Sequence, residues 1–347
     1  MLKGSNKCDP YILERSILAF SLLEALARTG AEFIFKGGTS LLLLLDKPIR
    51  LSTDIDIVVK PNVNITAYIE KASKIYPFVR FEEDTRTGTN GIVKKHFKFY
   101  YKSLQFNDRE VPILLDVLFD NNHYTEVIKK EIKNDFLVTE GDQILVTLPS
   151  VNSILGDKLT AFAPHTIGIK PRYEKENGMI ISKRIEVIKQ FFDVATLFDY
   201  ATNFNIIAET YKNTARSELE YRGLKHGFKE CLLDSFNEAL SILSRGTINQ
   251  EYYRDYYLPG IRGIKQYLID VKFTPETAYV QAVKVMFLSA LILTGEDKPE
   301  KLPVAENFVG YYAKINYIGR LNKESFNMAA YAIKLLEKRG SIAKDKL

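Results

Sequence analysis

Apolar positions recur at helical spacing across residues 10–29, PYILERSILAFSLLEALART, and the run stops at Gly30. This predicts an amphipathic opening helix. AEFIFK (31–36) then reads as a short strand running into Gly37-Gly38, and TSLLLLLD (39–46) as a short helix starting just after the glycines. STDIDIVVK (52–60) is rich in β-branched residues and predicts a strand. TAYIEKASKIYP (66–77) has the pattern of a surface helix closed by Pro77. KKHFKFYYKSLQF (94–106) and EVPILLDVLFD (110–120), parted by the polar NDR, predict an antiparallel hairpin.

The texture changes near 145–152. PSVNSILGDKLTAFA (149–163) and KRIEVIKQFFDVATLFDYA (183–201) have helical periodicity, and the polar, turn-rich stretch between them predicts a mobile loop. Residues 205–345 stay helical in pattern, with breaks at RGTINQ and LPGIRG. The expected fold class is α+β. A mixed β-sheet with flanking helices occupies 1–150, and an α-helical domain occupies 151–347. No internal repeat or low-complexity tract is visible in the sequence.

Two acids interrupt the apolar strand pattern. Residues two apart in a strand share a face, so Asp54 and Asp56 project together, away from Ile55 and Ile57. An uncompensated carboxylate in apolar surroundings is costly, and two of them repel each other unless a cation lies between. Paired hard oxygens suit Mg²⁺, which completes its shell with phosphate oxygens and water. Gly37 and Gly38, between a strand and a helix, let backbone N–H groups approach a phosphate, and Thr39 and Ser40 add hydroxyl donors. A third acid inside an apolar run, Asp116, completes a set able to hold two metal ions beside a nucleoside triphosphate. Asp120, nearer the strand end, is the fallback for that third position.

Composition narrows this only slightly. Hydrophobic residues make up 46% of the 347-residue chain and charged residues 26%, ordinary values for a globular protein with a sizeable core. The net charge of +5 permits a polyanionic partner without requiring one. Cys8 and Cys231 are far apart and suggest neither a zinc site nor a disulfide scaffold, which fits a cytoplasmic protein. The N-terminus lacks the apolar core of a signal peptide, and VMFLSALIL (285–293) is too short to span a bilayer. His96, His123, His165 and His226 show no ligand spacing and receive no role. The aromatic EYYRDYY (251–257) reads as core and interface rather than as a base-stacking platform.

The string FKGGT followed by RLSTDIDIVV resembles the signature of DNA polymerase β-type nucleotidyltransferases, and more narrowly the AbiEii/AbiGii and MenT-like toxin group. The matching positions are Lys36, Gly37, Gly38 and Thr39, then Arg50, Ser52, Asp54 and Asp56. GDKLTAF supplies the Asp-Lys pair of that group at Asp157 and Lys158, and KQFFDVATL supplies Lys189 and Asp193. Gln190 stands where the group often has a further Asp. The resemblance covers residues 31–200.

It implies a nucleotidyltransferase-type sheet, with Gly37, Gly38 and the Ser40 region holding the triphosphate. Asp54, Asp56 and Asp116 would bind the metal. Arg50, Lys158 and Asp193 would complete the nucleotide pocket or catalytic centre, with Lys158 offsetting charge on the leaving group. Asp193 has a structural alternative as partner of Lys158 or Arg184. Ser52 lies close enough to the metal carboxylates to be a point of regulatory modification, or simply satisfies nearby backbone.

The implied activity moves a nucleoside monophosphate from an NTP to an acceptor. The implied role is the toxin of a bacterial toxin–antitoxin or phage-defence pair, with tRNA the leading acceptor and a cognate antitoxin as partner. Alternatives are transfer to a protein or small molecule, γ-phosphate transfer, and an inactive nucleotide-fold binding module. The loop at 165–189 carries Lys170, Arg172, Lys175, Lys183, Arg184 and Lys189 against Glu174, Glu176 and Glu186. It is either a steering surface for an RNA end or a solvated loop.

Overall fold

A computed structural model describes residues 8–84, 93–175 and 177–342. Glu176, residues 1–7 and the end of the chain, on which some of the expectations above fall, lie outside that set. The chain divides into two compact units. The first comprises residues 1–150 together with 266–272, and the second 151–265 together with 273–347.

The first unit runs α1 (Pro10–Arg28), β1 (Ile34–Lys36), α2 (Gly37–Leu44), β2 (Ile55–Val59), α3 (Ile65–Ala72), β3 (Phe78–Asp84), β4 (Val93–Lys102), β5 (Glu110–Phe119), β6 (Val127–Glu131) and β7 (Leu145–Pro149). Helix α1 starts where the sequence places a cap: Asp9 accepts from the N–H groups of Tyr11 and Ile12, and Pro10 needs no partner at the first position. Its buried stripe, Ile12, Ser16, Ala19, Phe20, Leu23 and Leu26, follows the helical period. Helix α2 begins earlier than the apolar run suggests. Its turn is made at Gly37 with φ +78°, and Thr39 to Leu44 are buried without a polar face.

Among the described residues the strands form one mixed sheet in the order β3-β4-β5-β2-β1-β7-β6. β1 lies antiparallel to β2 and parallel to β7; β2 and β5 are parallel; β4 is antiparallel to both β3 and β5. Parity holds as expected. Ile113, Leu115 and Val117 are buried on one face of β5, and Asp116 lies on the other with Leu114 and Leu118.

Three features of this unit depart from the sequence reading. Strands β3, β6 and β7 depart from it: β3 and β6 carry many charged, exposed residues, and β7 is a largely apolar five-residue run directly before helix α4. The hairpin strand β4 ends at Lys102 rather than 106: Leu104–Phe106 make a 3₁₀ turn, and Asn107 and Asp108 take left-handed φ of 52° and 60°. Glu14 of α1 fastens this turn, accepting from the Ser103 hydroxyl at 2.6 Å and the Leu104 N–H at 2.7 Å. Finally, residues 266–272 return to the first unit. Leu51 N–H donates to the Tyr267 carbonyl at 2.7 Å, and Ile269 N–H to the Ile49 carbonyl at 2.9 Å.

The second unit contains α4 (Val151–Ala161), the hairpin β8 (Arg172–Glu174) and β9 (Ile180–Ser182), α5 (Arg184–Phe198), α6 (Phe204–Arg222), α7 (Phe228–Leu243), α8 (Leu258–Gly263), α9 (Ala278–Thr294), α10 (Tyr317–Leu321) and α11 (Lys323–Lys338). The stretch expected to be a mobile loop thus carries a small two-stranded hairpin, which buries almost none of its side chains. LPGIRG, expected as a break, is helix α8. Pro259 fits the first turn, and Gly260 allows backbone contact with α5, where a Cβ would stand 2.7 Å from the Arg184 carbonyl oxygen. Within EYYRDYY, Tyr253 and Tyr257 are buried, as the core reading required. Among the described residues no helix is long and apolar enough to cross a membrane.

Gly156 sets the approach of α4 to α6. A Cβ there would lie 2.6 Å from the Ile207 carbonyl oxygen and 2.9 Å from the Tyr211 nitrogen. Backbone atoms cannot give way as a side-chain tip can. Gly156→Ala is therefore expected to destabilise the chain by about 1–3 kcal/mol despite alanine's better helix propensity. Denaturant titration checks this; an unchanged or higher midpoint would show that the helices separate at no cost.

Candidate functional site

The register of four strands sets the site. Lys36 of β1 pairs with Asp56 of β2, Asp56 with Asp116 of β5, and Asp116 with His96 of β4. Asp84 of β3 continues the row opposite His96. Direct cross-strand partners share a sheet face, with neighbouring strands about 4.8 Å apart. The sheet thus carries a row reading Lys, Asp, Asp, His, Asp. The two central carboxylates are forced side by side, and a nitrogen-bearing side chain flanks each: Lys36 beside Asp56, and the His96 ring, with Nδ1 at 2.6 Å from Asp116 Oδ1.

Asp54 precedes β2 by one residue. Its Oδ1 lies 3.4 Å from Arg15 Nη2 of α1 and accepts from the Thr53 hydroxyl at 3.2 Å. The side chains of Asp54 and Asp116 are about half exposed, 47% and 50%. This corrects the premise that these acids sit in apolar surroundings. They occupy the open face of the sheet, with the Arg15 guanidinium against Asp54 and the His96 ring against Asp116. As the side chains stand, the oxygens of Asp54, Asp56 and Asp116 do not all lie within 4.8 Å of one another. Among the described residues that compactness is met by His165, Asp234 and Glu238 of the second unit. Asp120 is set apart from the row at the end of β5, paired with His123 at 2.8 Å, and lines a cavity of about 890 Å³ with Lys60 and Lys129.

The two glycines are required by what packs on them. A Cβ on Gly37 would fall 1.9 Å from Asp56 Oδ2, and one on Gly38 would fall 2.6 Å from Arg50 Nη2 and 2.9 Å from the Ser52 hydroxyl. Bare backbone therefore lies directly against a carboxylate, a guanidinium and a hydroxyl. Arg50 is nearly buried, donates from Nη1 to the Leu51 carbonyl at 3.0 Å, and forms a β-bridge with Leu268. Lys36 places its Nζ 5.9 Å from the Tyr124 ring centroid.

Thr39 and Ser40 differ from expectation. Both are fully buried; Thr39 donates to the Asp54 carbonyl at 2.5 Å and Ser40 to the Gly37 carbonyl at 2.9 Å. Their hydroxyls hold the turn rather than face a ligand. Ser16 of α1 likewise donates to the Ser52 carbonyl at 2.6 Å. The loop bearing the acids is thus pinned from two helices.

In the second unit, Lys158 of α4 and Asp193 of α5 form an ion pair at 3.1 Å, and Lys158 also donates to Gln190 Oε1 at 3.1 Å. Both charged side chains are buried. The partnership with Asp193 is the structural alternative noted from sequence, and Gln190 gives the lysine a neutral second acceptor. Breaking one half of a buried pair strands the other charge. Asp193→Ala is expected to destabilise by about 3–5 kcal/mol, and the double change Lys158→Met/Asp193→Leu by much less. Equal losses in the two variants, measured by urea unfolding, would refute this account.

Residues 21–263 match the family described as "Nucleotidyl transferase AbiEii toxin, Type IV TA system". The chain belongs to the AbiEii nucleotidyltransferase toxin family. The match embraces the glycine turn, all three aspartates, Lys158 and Asp193. Among solved structures the chain is similar to an antigenic nucleotidyltransferase-like protein from Paracoccidioides brasiliensis, with 17% identity over 61% of this chain and 93% of that one and a TM-score of 0.37. No curated protein matches the chain. Membership in the AbiEii family makes an NTP substrate and a cognate antitoxin partner part of its biology.

Sequence reasoning missed His96, Arg15 and Asp84. An alternating strand pattern does place His96 on the face of its even-numbered neighbours. Only the register says that it meets Asp116.

Proposed function

We propose that this AbiEii-family chain transfers a nucleoside monophosphate from an NTP to an RNA acceptor, tRNA foremost, in the cytoplasm, with Mg²⁺ bound at the aspartates. The observation that carries the reading is the row Lys36–Asp56–Asp116–His96 laid beside the bare backbone of Gly37 and Gly38. The donor set fits the metal: Asp54, Asp56 and Asp116 offer hard oxygens, and two of them are neighbours by strand pairing. When bound, Mg²⁺ supplies Lewis acidity at the phosphates and lowers the pKa of an attacking hydroxyl.

The protein's own groups do the rest. The bare backbone of Gly37 and Gly38 lets Asp56, Arg50 and Ser52 close in on the turn, and the Arg50 guanidinium beside Gly38 is a fixed positive charge for a triphosphate. The Ser52 hydroxyl, at the same glycine, offers a further donor. Lys36 offsets negative charge at the Asp56 end of the row. His96 orients the Asp116 carboxylate through Nδ1. Arg15 sets the direction of Asp54 until a metal competes for it. Lys158 and Asp193 act by holding α4 to α5, because the lysine is buried and already has two acceptors.

The test is incubation of the purified chain with each α-³²P NTP, Mg²⁺ and total RNA. Label is expected on RNA, with none from γ-³²P nucleotide and none in EDTA. Label from the γ position would instead mean phosphoryl transfer, and label confined to protein would exclude the RNA acceptor. An inactive binding module would leave every acceptor unlabelled.

A further inference from the structure

A second cluster of ligand-type side chains lies in the other unit, outside the nucleotidyl-transfer machinery. His165 sits on the turn after α4, and Asp234 and Glu238 are one helical turn apart on α7. Residues at i and i+4 project from the same helix face, so the two acids point the same way. One ring nitrogen of His165 and one carboxylate oxygen from each acid lie within 4.8 Å of one another. With Asn249 they line a surface recess of about 270 Å³.

The cluster is built and held from several sides. Asp234 Oδ2 accepts from the N–H groups of His165 and Thr166 and from the Thr166 hydroxyl, each at 2.9 Å. The turn is thereby docked onto α7. The His165 ring stacks on Tyr252, with centroids 4.9 Å apart. Glu238 Oε1 accepts from His165 Nε2 at 3.1 Å and from Asn249 Nδ2 at 2.8 Å, and its Oε2 accepts from the Tyr257 hydroxyl. One atom is left over. Asp234 is 7% exposed, and its Oδ1 is buried without a hydrogen-bond partner. Buried acceptors are rarely left so, and an unmet one beside another carboxylate asks for a cation. Among the described residues no lysine or arginine forms an ion pair with either acid; the His165 ring is what Glu238 meets. Burial first, with the nearby Glu238 charge adding, pushes the Asp234 carboxyl up to about 6.

We propose that His165, Asp234 and Glu238 form a binding site for a first-row divalent metal ion of the Zn²⁺ type, which ties the turn after α4 to helix α7. One imidazole with two carboxylates suits Zn²⁺, Mn²⁺ or Co²⁺, whereas Mg²⁺ prefers oxygen ligands alone. Binding replaces the proton shared between His165 Nε2 and Glu238 Oε1 and releases it to solvent. The unpartnered Asp234 oxygen then has a partner, and the recess leaves a coordination position for water.

The test uses the full chain without an affinity tag, carrying Asp54→Ala and Asp116→Ala so that the first unit's acids do not compete. Titration calorimetry with ZnCl₂ is expected to show one site. Thermal unfolding at a hundredfold excess over Kd is expected to rise by about 5 °C or more. The same concentration of MgCl₂ should leave the transition unmoved. Adding His165→Ala or Glu238→Gln is expected to weaken Zn²⁺ binding about tenfold or more. Absence of Zn²⁺ binding, or affinity unchanged in both variants, would overturn the proposal. If neither variant retains the parent's far-UV circular dichroism, X-ray absorption of the Zn²⁺-loaded parent decides. Imidazole and oxygen scattering supports the site; a shell containing sulfur, or no imidazole, removes it.

Discussion

Asp56→Asn is expected to reduce transfer of label from an α-³²P NTP by about 10³-fold or more, and to abolish growth inhibition when the chain is expressed in a bacterial host. The size follows from position. Asp56 is central in the row: Lys36 and Asp116 are its cross-strand partners, and its Oδ2 lies against the Gly37 backbone. No neighbouring oxygen can replace it at that point. Asparagine keeps the shape and removes the charge, so folding should change little. Removing one of two adjacent acids also relieves their repulsion, so the unfolding free energy is expected to stay within about 1 kcal/mol of wild type. Loss of activity with stability kept is the signature sought. Retention of even a tenth of the activity would mean that Asp56 does not touch the reacting groups.

Gly37→Ala should be nearly as damaging to activity, for a separable reason. The residue has φ +78°, which costs an L residue roughly 1–2 kcal/mol. Its new methyl would also need the space of Asp56 Oδ2, since the ideal Cβ stands 1.9 Å from that atom. Either the carboxylate swings away or the turn moves, and both disturb the metal-binding face. Gly30→Ala separates the two effects. Gly30 has a similar φ of +80° with nothing within 4 Å of a Cβ. It is expected to show the conformational cost alone, as a lower melting temperature with normal transfer. Matching losses of transfer in the two variants would show that backbone strain, not displacement of Asp56, is responsible.

The outcome for Lys158 shows where reasoning by position along the chain runs out. A lysine in GDKLTAF can equally face a phosphate or a buried acid. Proximity of Asp193 in space, thirty-five residues on, decides for the acid. Thr39 and Ser40 make the same point on a smaller scale. Hydroxyls beside a glycine turn look like ligand donors, yet backbone carbonyls within reach claim both. Asp116 and His96 are the reverse case. The NDR turn suggested a hairpin, but the 3₁₀ turn at Leu104–Phe106 shortens β4 and shifts every pair, which brings His96 rather than Tyr100 opposite the acid.

The sequence by itself determined the elements and the parity of side chains along them: the capped first helix, the glycine turn, and acids on the face opposite Ile57 and Val117. These are consequences of covalent geometry within a few residues, and neighbours far along the chain do not alter them. The tertiary structure alone decided that Lys36, Asp56, Asp116 and His96 stand in one row, that Arg50 is held by a backbone bridge to Leu268, and that Asp234 and Glu238 meet His165. Register and docking are set by the packing of whole sheets and helices, where many weak contacts over long sequence separations sum to one arrangement, and no local pattern encodes that sum.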